Sequence, residues 1–327
     1  MSASASTIGT MRTVRFHGFG EPAEVLRLEE VTIPEPRAGR IRIRVHACGL
    51  NPADWALCRG LFPGNLPRGI GLEMSGMVDA IGEGVTDVAI GDPVLGMADF
   101  AGYSSAGASD YAIMNVWTQV PFGLGLVEGA ALPMAVETAC RAIDILGVSA
   151  GHKFMVHGAG TTVGFAAVQM ALMRGARVIA TAGDTFADRL RALGATVTPY
   201  GEGMVERVRA IAGGAPDLIL DAAPISGALP ALVAIAGGDS HRVLTMSDFA
   251  AAAELGVRMS MGDDAATYRY DVLGQFAQLA AAGRFSVPIA RTFALEEWRA
   301  ALEISASRRA QGKLIILPAD ETPTAGS

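Results

Sequence analysis

The sequence predicts an α/β protein in which a doubly wound parallel sheet is joined to an antiparallel, barrel-like or sandwich region. Three observations predict it. From Lys153 to Met246, strand-like and helix-like segments alternate five times, the order that builds a parallel sheet covered by helices. Residues 11–125 instead hold short β-type runs broken by Gly and Pro, with turns every 8–12 residues. A small-residue turn at 158–164 joins the first strand of the alternation to its first helix.

Taken in order, Arg12–His17 and Arg40–Ala47 are the first strands. In the second, Ile41, Ile43 and Val45 face one way and Arg42 and Arg44 the other, the period of a half-buried strand. Met77–Ile81 runs into the turn Gly82-Glu83-Gly84, and Gly91-Asp92-Pro93 opens a strand at Val94–Gly96. Ala130–Leu146 is helical in character. The alternation follows: strands at Lys153–His157, Arg177–Thr181, Thr196–Pro199, Asp217–Asp221 and His241–Met246, with a short sixth at Val257–Met261. The helices between them are Val163–Arg174, Thr185–Leu193, Met204–Ile211 and Gly227–Ala236, several closed by a glycine cap. After residue 262 the alternation stops, with a helix at Tyr268–Ala282, an extended Phe285–Arg291, a helix at Leu295–Ser305 and a closing strand at Lys313–Leu317.

A chain of 327 residues has room for two domains. With 50% apolar and 18% charged residues it buries a real core, which excludes a disordered chain and a coiled coil. The 26 basic residues against 33 acidic ones, a net charge of −7, leave no footprint for nucleic acid. The longest apolar runs, Phe165–Met173 and Ala228–Gly238, fall short of the ~20 residues that span a bilayer. Cys48, Cys58 and Cys140 are odd in number and widely spaced, which reads as free thiols in a reducing compartment. The leader Met-Ser-Ala-Ser-Ala-Ser-Thr has neither the basic nor the apolar stretch of a secretory signal, so a cytoplasmic location is expected. The five histidines share no ligand spacing.

The segment from Lys153 to Gly164 carries the most chemistry. Gly158 and Gly160 let the backbone turn tightly and approach a diphosphate, and Gly164 lets helix and strand pack closely. Amide N–H groups of Ala159, Thr161, Thr162 and Val163, at the start of the helix, meet the phosphate charge. The spacing departs from G-x-G-x-x-G, since Val163 stands where the third glycine would be. The second strand ends Thr181-Ala182-Gly183 without the acid that would bind a ribose 2′-hydroxyl, so NADP(H) is preferred to NAD. Asp184 follows one step later, and Arg189 and Arg191 are the nearest cations.

Several stretches resemble the medium-chain dehydrogenase/reductase superfamily in its zinc-independent, quinone-oxidoreductase branch. They are Ala47–Asp54, Gly71–Gly76, Ile81–Asp92, Gly129–Pro133 with Thr138-Ala139, the turn at 153–164 with Gln169, Leu193–Ala195, and Gly312-Lys313. The resemblance spans about 12–318 and implies a GroES-like β-barrel catalytic domain at 11–128 and 264–318. It implies a Rossmann dinucleotide-binding domain inserted at 129–263, with loose termini at 1–10 and 319–327. It also implies NADPH-dependent reduction of a quinone or an α,β-unsaturated carbonyl by a homodimer. In zinc-bearing relatives the ligands fall where this chain has Asn51 and Leu72, neither of which serves zinc, so no metal is expected and Glu73 reads as structural.

Chemistry then falls to the cofactor, with the protein supplying orientation and donors to the oxygen where charge develops. By the resemblance Asn51 is the candidate donor, Asp54 orients its loop, Thr138 lies against the nicotinamide, and Lys313 reaches the cofactor. Trp55, Phe62, Phe100 and Tyr103 are candidates to line a pocket for a ring-shaped acceptor. Thr161-Thr162 replace the family's Gly-Gly, and Ala56 stands where a tyrosine is common. These departures motivate a second expectation, a non-catalytic dinucleotide-binding sensor or structural protein.

Overall fold

Burial alternates along the first β-type runs. The computed structural model describes residues 9–62, 64–261, 267–307 and 310–318. Strand β1 (Thr10–Phe16) pairs antiparallel with β2 (Leu26–Thr32), which follows a single turn of helix, α1 (Pro22–Val25). Thr10 is thus a strand residue rather than part of a loose terminus; the rest of the expected leader before Gly9, and the tail from 319, lie outside the described residues. In β3 (Ile41–Leu50) Ile41, Ile43 and Val45 are buried while Arg44 is exposed, the alternation its sequence predicts. Helix α2 (Pro52–Cys58) follows, then β4 (Arg68–Gly69), β5 (Glu73–Ile81), β6 (Pro93–Ala98) and β7 (Tyr111–Gln119). Strand β4 pairs with the other side of β1.

The single helix expected over 130–146 is two: α3 (Leu126–Ala130) and α4 (Pro133–Leu146). Pro133 has no N–H to continue α3 but suits the first turn of α4. Next come β8 (Lys153–His157), α5 (Thr162–Met173), β9 (Arg177–Thr181), α6 (Asp184–Leu193), β10 (Thr196–Thr198) and α7 (Met204–Ala212). The series closes with β11 (Leu218–Asp221), α8 (Leu229–Ile235), β12 (Val243–Thr245), α9 (Phe249–Leu255) and β13 (Arg258–Met259). The six strands pair in parallel in the order β10-β9-β8-β11-β12-β13, the doubly wound arrangement that sets β8 at the switch point. Met155, Ile179, Ile219 and Val243 on the sheet pack with Val208 of α7 and Leu229 and Leu232 of α8. Each large side chain so buried contributes about 1.5–3 kcal/mol. The strand expected from His241 starts later, because Asp239 caps a one-turn helix at Ser240–Arg242 by accepting from the His241 amide.

The expected helix at Tyr268–Ala282 begins late, with one tight turn at Tyr270–Val272 and then α10 (Leu273–Ala281). Tyr268 and Tyr270 stack at 5.5 Å, and residues two apart do not face each other on a helix. Strand β14 (Ile289–Ala294) lies later than the extended run expected at Phe285–Arg291, since Pro288 has no N–H for a ladder. A turn at Leu295–Glu297 precedes α11 (Trp298–Ala306), and β15 (Lys313–Leu317) closes the chain as expected. The second large sheet runs β14-β15-β3-β5-β6-β7, and β3 also pairs with β7, which closes a small barrel.

The chain divides into two compact units, one of residues 1–134, 273–282 and 289–327 and one of 135–272 and 283–288. The divisions fall after Met134 and Val272 rather than after 128 and 263. Among the described residues no helix is long and apolar enough to cross a membrane.

Candidate functional site

In the second unit, β8 delivers the chain into the glycine turn and α5 leads it away. Gly158 has φ +74°, and a Cβ there would stand 2.6 Å from Cα of Ala223. At Gly164 a Cβ would stand 2.3 Å from the carbonyl oxygen of Gly158, so only hydrogen lets α5 pack this close. Thr161 caps α5: its hydroxyl accepts from the Gly164 amide at 3.0 Å and faces the carbonyls of Gly158 (3.0 Å) and Ala222 (3.1 Å) as donor. That hydroxyl is therefore engaged within the fold. The Gly158 amide donates to the Thr181 hydroxyl and the Ala159 amide to the Thr181 carbonyl. Among the described residues, the amides of Gly160, Thr162 and Val163 have no acceptor. Three open amides at the positive end of a 12-residue helix form a cradle suited to a phosphate.

The strand ends around this cradle are stitched together. His157 Nδ1 lies 2.8 Å from the Thr181 hydroxyl. Burial pushes the His157 pKa down to about 4, so the ring is neutral at pH 7. Asp221, at the end of β11, accepts from the Thr245 hydroxyl (2.9 Å) and the Ala223 amide (3.2 Å). Burial nevertheless raises its pKa to about 6. The Ser247 hydroxyl holds the Ala223 carbonyl at 2.7 Å. No motif announces the loop at 221–223 in the sequence, yet it is the wall against which Gly158 fits.

The end of β9 carries no acid: Thr181 is fully buried against His157, Ala182 is buried, and exposed Gly183 precedes α6. Asp184 is exposed at the first position of that helix. Arg189 lies with its guanidinium over Phe165 (5.1 Å) and Phe186 (5.8 Å), and Phe186 is the ring that packs on Gly160. Thr138, half-buried on α4, donates to Glu137 (3.2 Å), which pairs with Arg141 at 2.6 Å.

In the first unit, Asn51, Asp54, Glu73 and Lys313 come together. The adjacent strands β15, β3 and β5 bring Lys313, the residue after Leu50, and Glu73 to one end of the barrel sheet. Asp54 is fully buried and binds the Asn51 amide through Oδ2 (2.7 Å) and the Gly71 and Leu72 amides through Oδ1 (2.7 and 3.0 Å). It thus caps α2 and pins the loop before β5, while burial, outweighing these three bonds, raises its pKa to about 6. Glu73 accepts through Oε1 from Asn51 Nδ2 (2.9 Å) and Lys313 Nζ (2.5 Å), and through Oε2 from the Met134 amide (2.7 Å). Lys313 Nζ also donates to Asn51 Oδ1 at 2.6 Å. Lys313 is 2% exposed, so it is a member of the Asn51 cluster and not a solvated terminal lysine.

These residues do not fit a zinc ion. Leu72 is buried and apolar, Asn51 is held between a carboxylate and an ammonium, and burial pushes the Cys48 thiol pKa well up. Among the described residues no group of three His, Cys, Asp or Glu is placed to hold a metal. Of the four aromatics, Trp55 is buried and donates to Ser305, and Tyr103 anchors a loop through the Arg37 amide. Phe62 and Phe100 share Arg68, which donates to the Phe62 carbonyl and lies 5.5 Å over the Phe100 ring.

The profile of the alcohol dehydrogenase GroES-like domain matches residues 37–139, and that of zinc-binding dehydrogenases matches 193–316. A quinone oxidoreductase of Rattus norvegicus is 35% identical over 179 residues, 53% of this chain and 53% of that protein. The chain matches about half the length of such relatives. The structure of the quinone oxidoreductase from Coxiella burnetii aligns with a TM-score of 0.78 at 26% identity, covering 95% of this chain and 100% of that one. A mycobacterial protein complexed with NADPH shares the fold at a TM-score of 0.76 and 21% identity, covering 94% of this chain and 100% of that one.

Proposed function

Because the chain belongs to the medium-chain dehydrogenase/reductase superfamily and is quinone-oxidoreductase-like, we propose that it is an NADPH-dependent, metal-free oxidoreductase acting on a quinone or an α,β-unsaturated carbonyl. The observation that carries this reading is the buried Asn51–Glu73–Lys313 cluster. It puts an amide donor, Asn51, at one of the two positions where zinc-bearing relatives keep their ligands and sets the Lys313 ammonium against it.

The Gly160, Thr162 and Val163 amides hold the diphosphate, aided by the positive end of α5. The acid-free end of β9 leaves room for a 2′-phosphate, and Arg189 supplies its cation. Thr138, whose proton goes to Glu137, keeps an oxygen lone pair for the nicotinamide carboxamide. When bound, the reduced nicotinamide supplies the hydride. Asn51 donates its second Nδ2–H to the acceptor oxygen, where negative charge develops. Asp54 holds the backbone on which Asn51 sits. The working protein is a homodimer joined through the sheet edge at β13, and a sedimentation profile of monomer alone would contradict that.

The test is NADPH oxidation across a panel of quinones and enones, with NADPH binding measured in parallel. Turnover with some members is expected, and Asn51→Ala should lower it far more than it weakens NADPH binding. Ala56, standing where the family commonly carries a tyrosine, motivates a second reading as a dinucleotide-binding sensor without catalysis. Tight NADPH binding with no turnover across the panel would select that reading.

A further inference from the structure

An asparagine amide can stand in either of two orientations, and only one of them presents an N–H to an acceptor. In this chain the choice is made by two charges. The amide oxygen of Asn51 receives Lys313 Nζ at 2.6 Å, and its Nδ2 gives one hydrogen to Glu73 Oε1 at 2.9 Å. Lys313 and Glu73 close the ring on each other at 2.5 Å. A flipped amide would set NH2 against an ammonium and oxygen against a carboxylate, two repulsive contacts in a site shielded from water. Lys313 is 2% exposed and Glu73 fully buried.

The surroundings fix the ring in turn. The other oxygen of Glu73 takes the Met134 amide, and a Cβ at Gly49 would lie 2.5 Å from Glu73 Oε1, so glycine is what admits the carboxylate beside β3. Lys313 and Glu73 offset each other's charge, which makes their joint burial tolerable. Cys48 stays protonated next to them, since burial and the charges of Asp54 and Glu73 oppose its ionisation.

We propose that Lys313 and Glu73 are positioning residues that lock the Asn51 amide in one orientation and leave its second N–H for the oxygen of the acceptor. The proposal rests on the reading of Asn51 as that oxygen's donor. It assigns to Lys313 a task other than holding the cofactor. The ammonium on the amide oxygen also polarises the group and makes the remaining N–H a better donor.

The variants are Lys313→Met and the pair Glu73→Gln/Lys313→Met, which removes both charges and spares the fold a lone buried carboxylate. Each is made with Asn51 intact and in the Asn51→Ala background. With Asn51 intact, kcat should fall by about 100-fold, the scale of a misplaced group, while the Kd for NADPH stays within about twofold. In the Asn51→Ala background the same changes should add no further loss, because they act only through Asn51. A tenfold weaker NADPH affinity at unchanged kcat, or losses that multiply in the Asn51→Ala background, would overturn the proposal. A second readout needs no turnover: the Asn51 side-chain amide resonance, assigned by its absence in Asn51→Ala. One set of two well-separated protons is expected, the one bonded to Glu73 protected from exchange, giving way to averaged or doubled signals in the charge-free pair. An unchanged resonance in that pair would equally overturn the lock. A wild-type chain that reduces no acceptor would end the functional reading, and the resonance would still decide the orientation.

Discussion

Gly164→Ala is the smallest change that separates the glycine turn from the rest of the fold. The added Cβ would sit 2.3 Å from the Gly158 carbonyl oxygen and 3.0 Å from Cα of Ala159. An unstrained carbon–oxygen contact needs about 3.3 Å, so α5 and the turn must part by about 1 Å. Overpacking of this kind costs about 1–3 kcal/mol, against a gain of about 1 kcal/mol from alanine in a helix, so stability changes little or falls modestly. Binding should suffer more, because the shift moves the Thr162 and Val163 amides away from the Gly160 amide with which they form the cradle. Losing one hydrogen bond to a charged phosphate removes about 1.5–3 kcal/mol, a factor of about 10–150 in Kd. Calorimetric titration with NADPH and with NADH reads this directly. Both should weaken by the same factor, since the diphosphate is common to them. A folded variant that binds either dinucleotide as tightly as the wild type would refute the reasoning.

Three further outcomes follow from the same geometry. Arg189→Met should weaken NADPH by about tenfold and NADH hardly at all, as a cation aimed at a 2′-phosphate requires; equal losses in parallel titrations would reassign Arg189. Thr161→Val should cost about 1–2 kcal/mol in chemical denaturation, while Thr161→Ser, which keeps the cap, should cost less than half as much; equal losses would show that the cap is not the reason. His157, held neutral with a pKa lowered to about 4 from 6.5, contributes stability that is fully present above pH 6.5 and lost as pH falls through 4. Asp54 and Asp221, raised to about 6, act in the opposite sense between pH 4 and 6, so the wild-type curve alone mixes the two. Between pH 7 and pH 4 the wild type should therefore lose about 3 kcal/mol more than His157→Gln, and parallel curves would contradict the assignment.

The doubly wound sheet was legible because its signals are local. Strand and helix periods, glycine caps and the turn at 158–164 each lie within a dozen residues, and Lys153–His157, Arg177–Thr181 and Lys313–Leu317 stand as the pattern predicts them. The misplaced boundaries are set by single residues acting against a period, such as Pro133 between two helices and Asp239 capping an extra turn. Asn51 and Asp54 were readable as a pair three apart through the family resemblance, though not the helix α2 that they begin. Their cluster was not, because Glu73 is 22 residues from Asn51 and Lys313 is 262 residues away. A lysine near a chain end reads as solvated from its neighbours alone; its burial is decided by a carboxylate and an amide that the sheet register brings to it. Thr161 shows the opposite limit: it stands out in the sequence as a departure from Gly-Gly, and only the fold shows its hydroxyl capping α5 through the Gly164 amide.

The central claim is that this chain passes hydride from a bound nicotinamide to an acceptor without a metal. A single-turnover experiment tests it most directly: protein stripped of metal by a chelator is loaded with NADPH, mixed with a quinone, and the nicotinamide fluorescence followed. The expected result is a decay as fast as in untreated protein and unaffected by added zinc. A signal that stays flat until zinc is restored would contradict it.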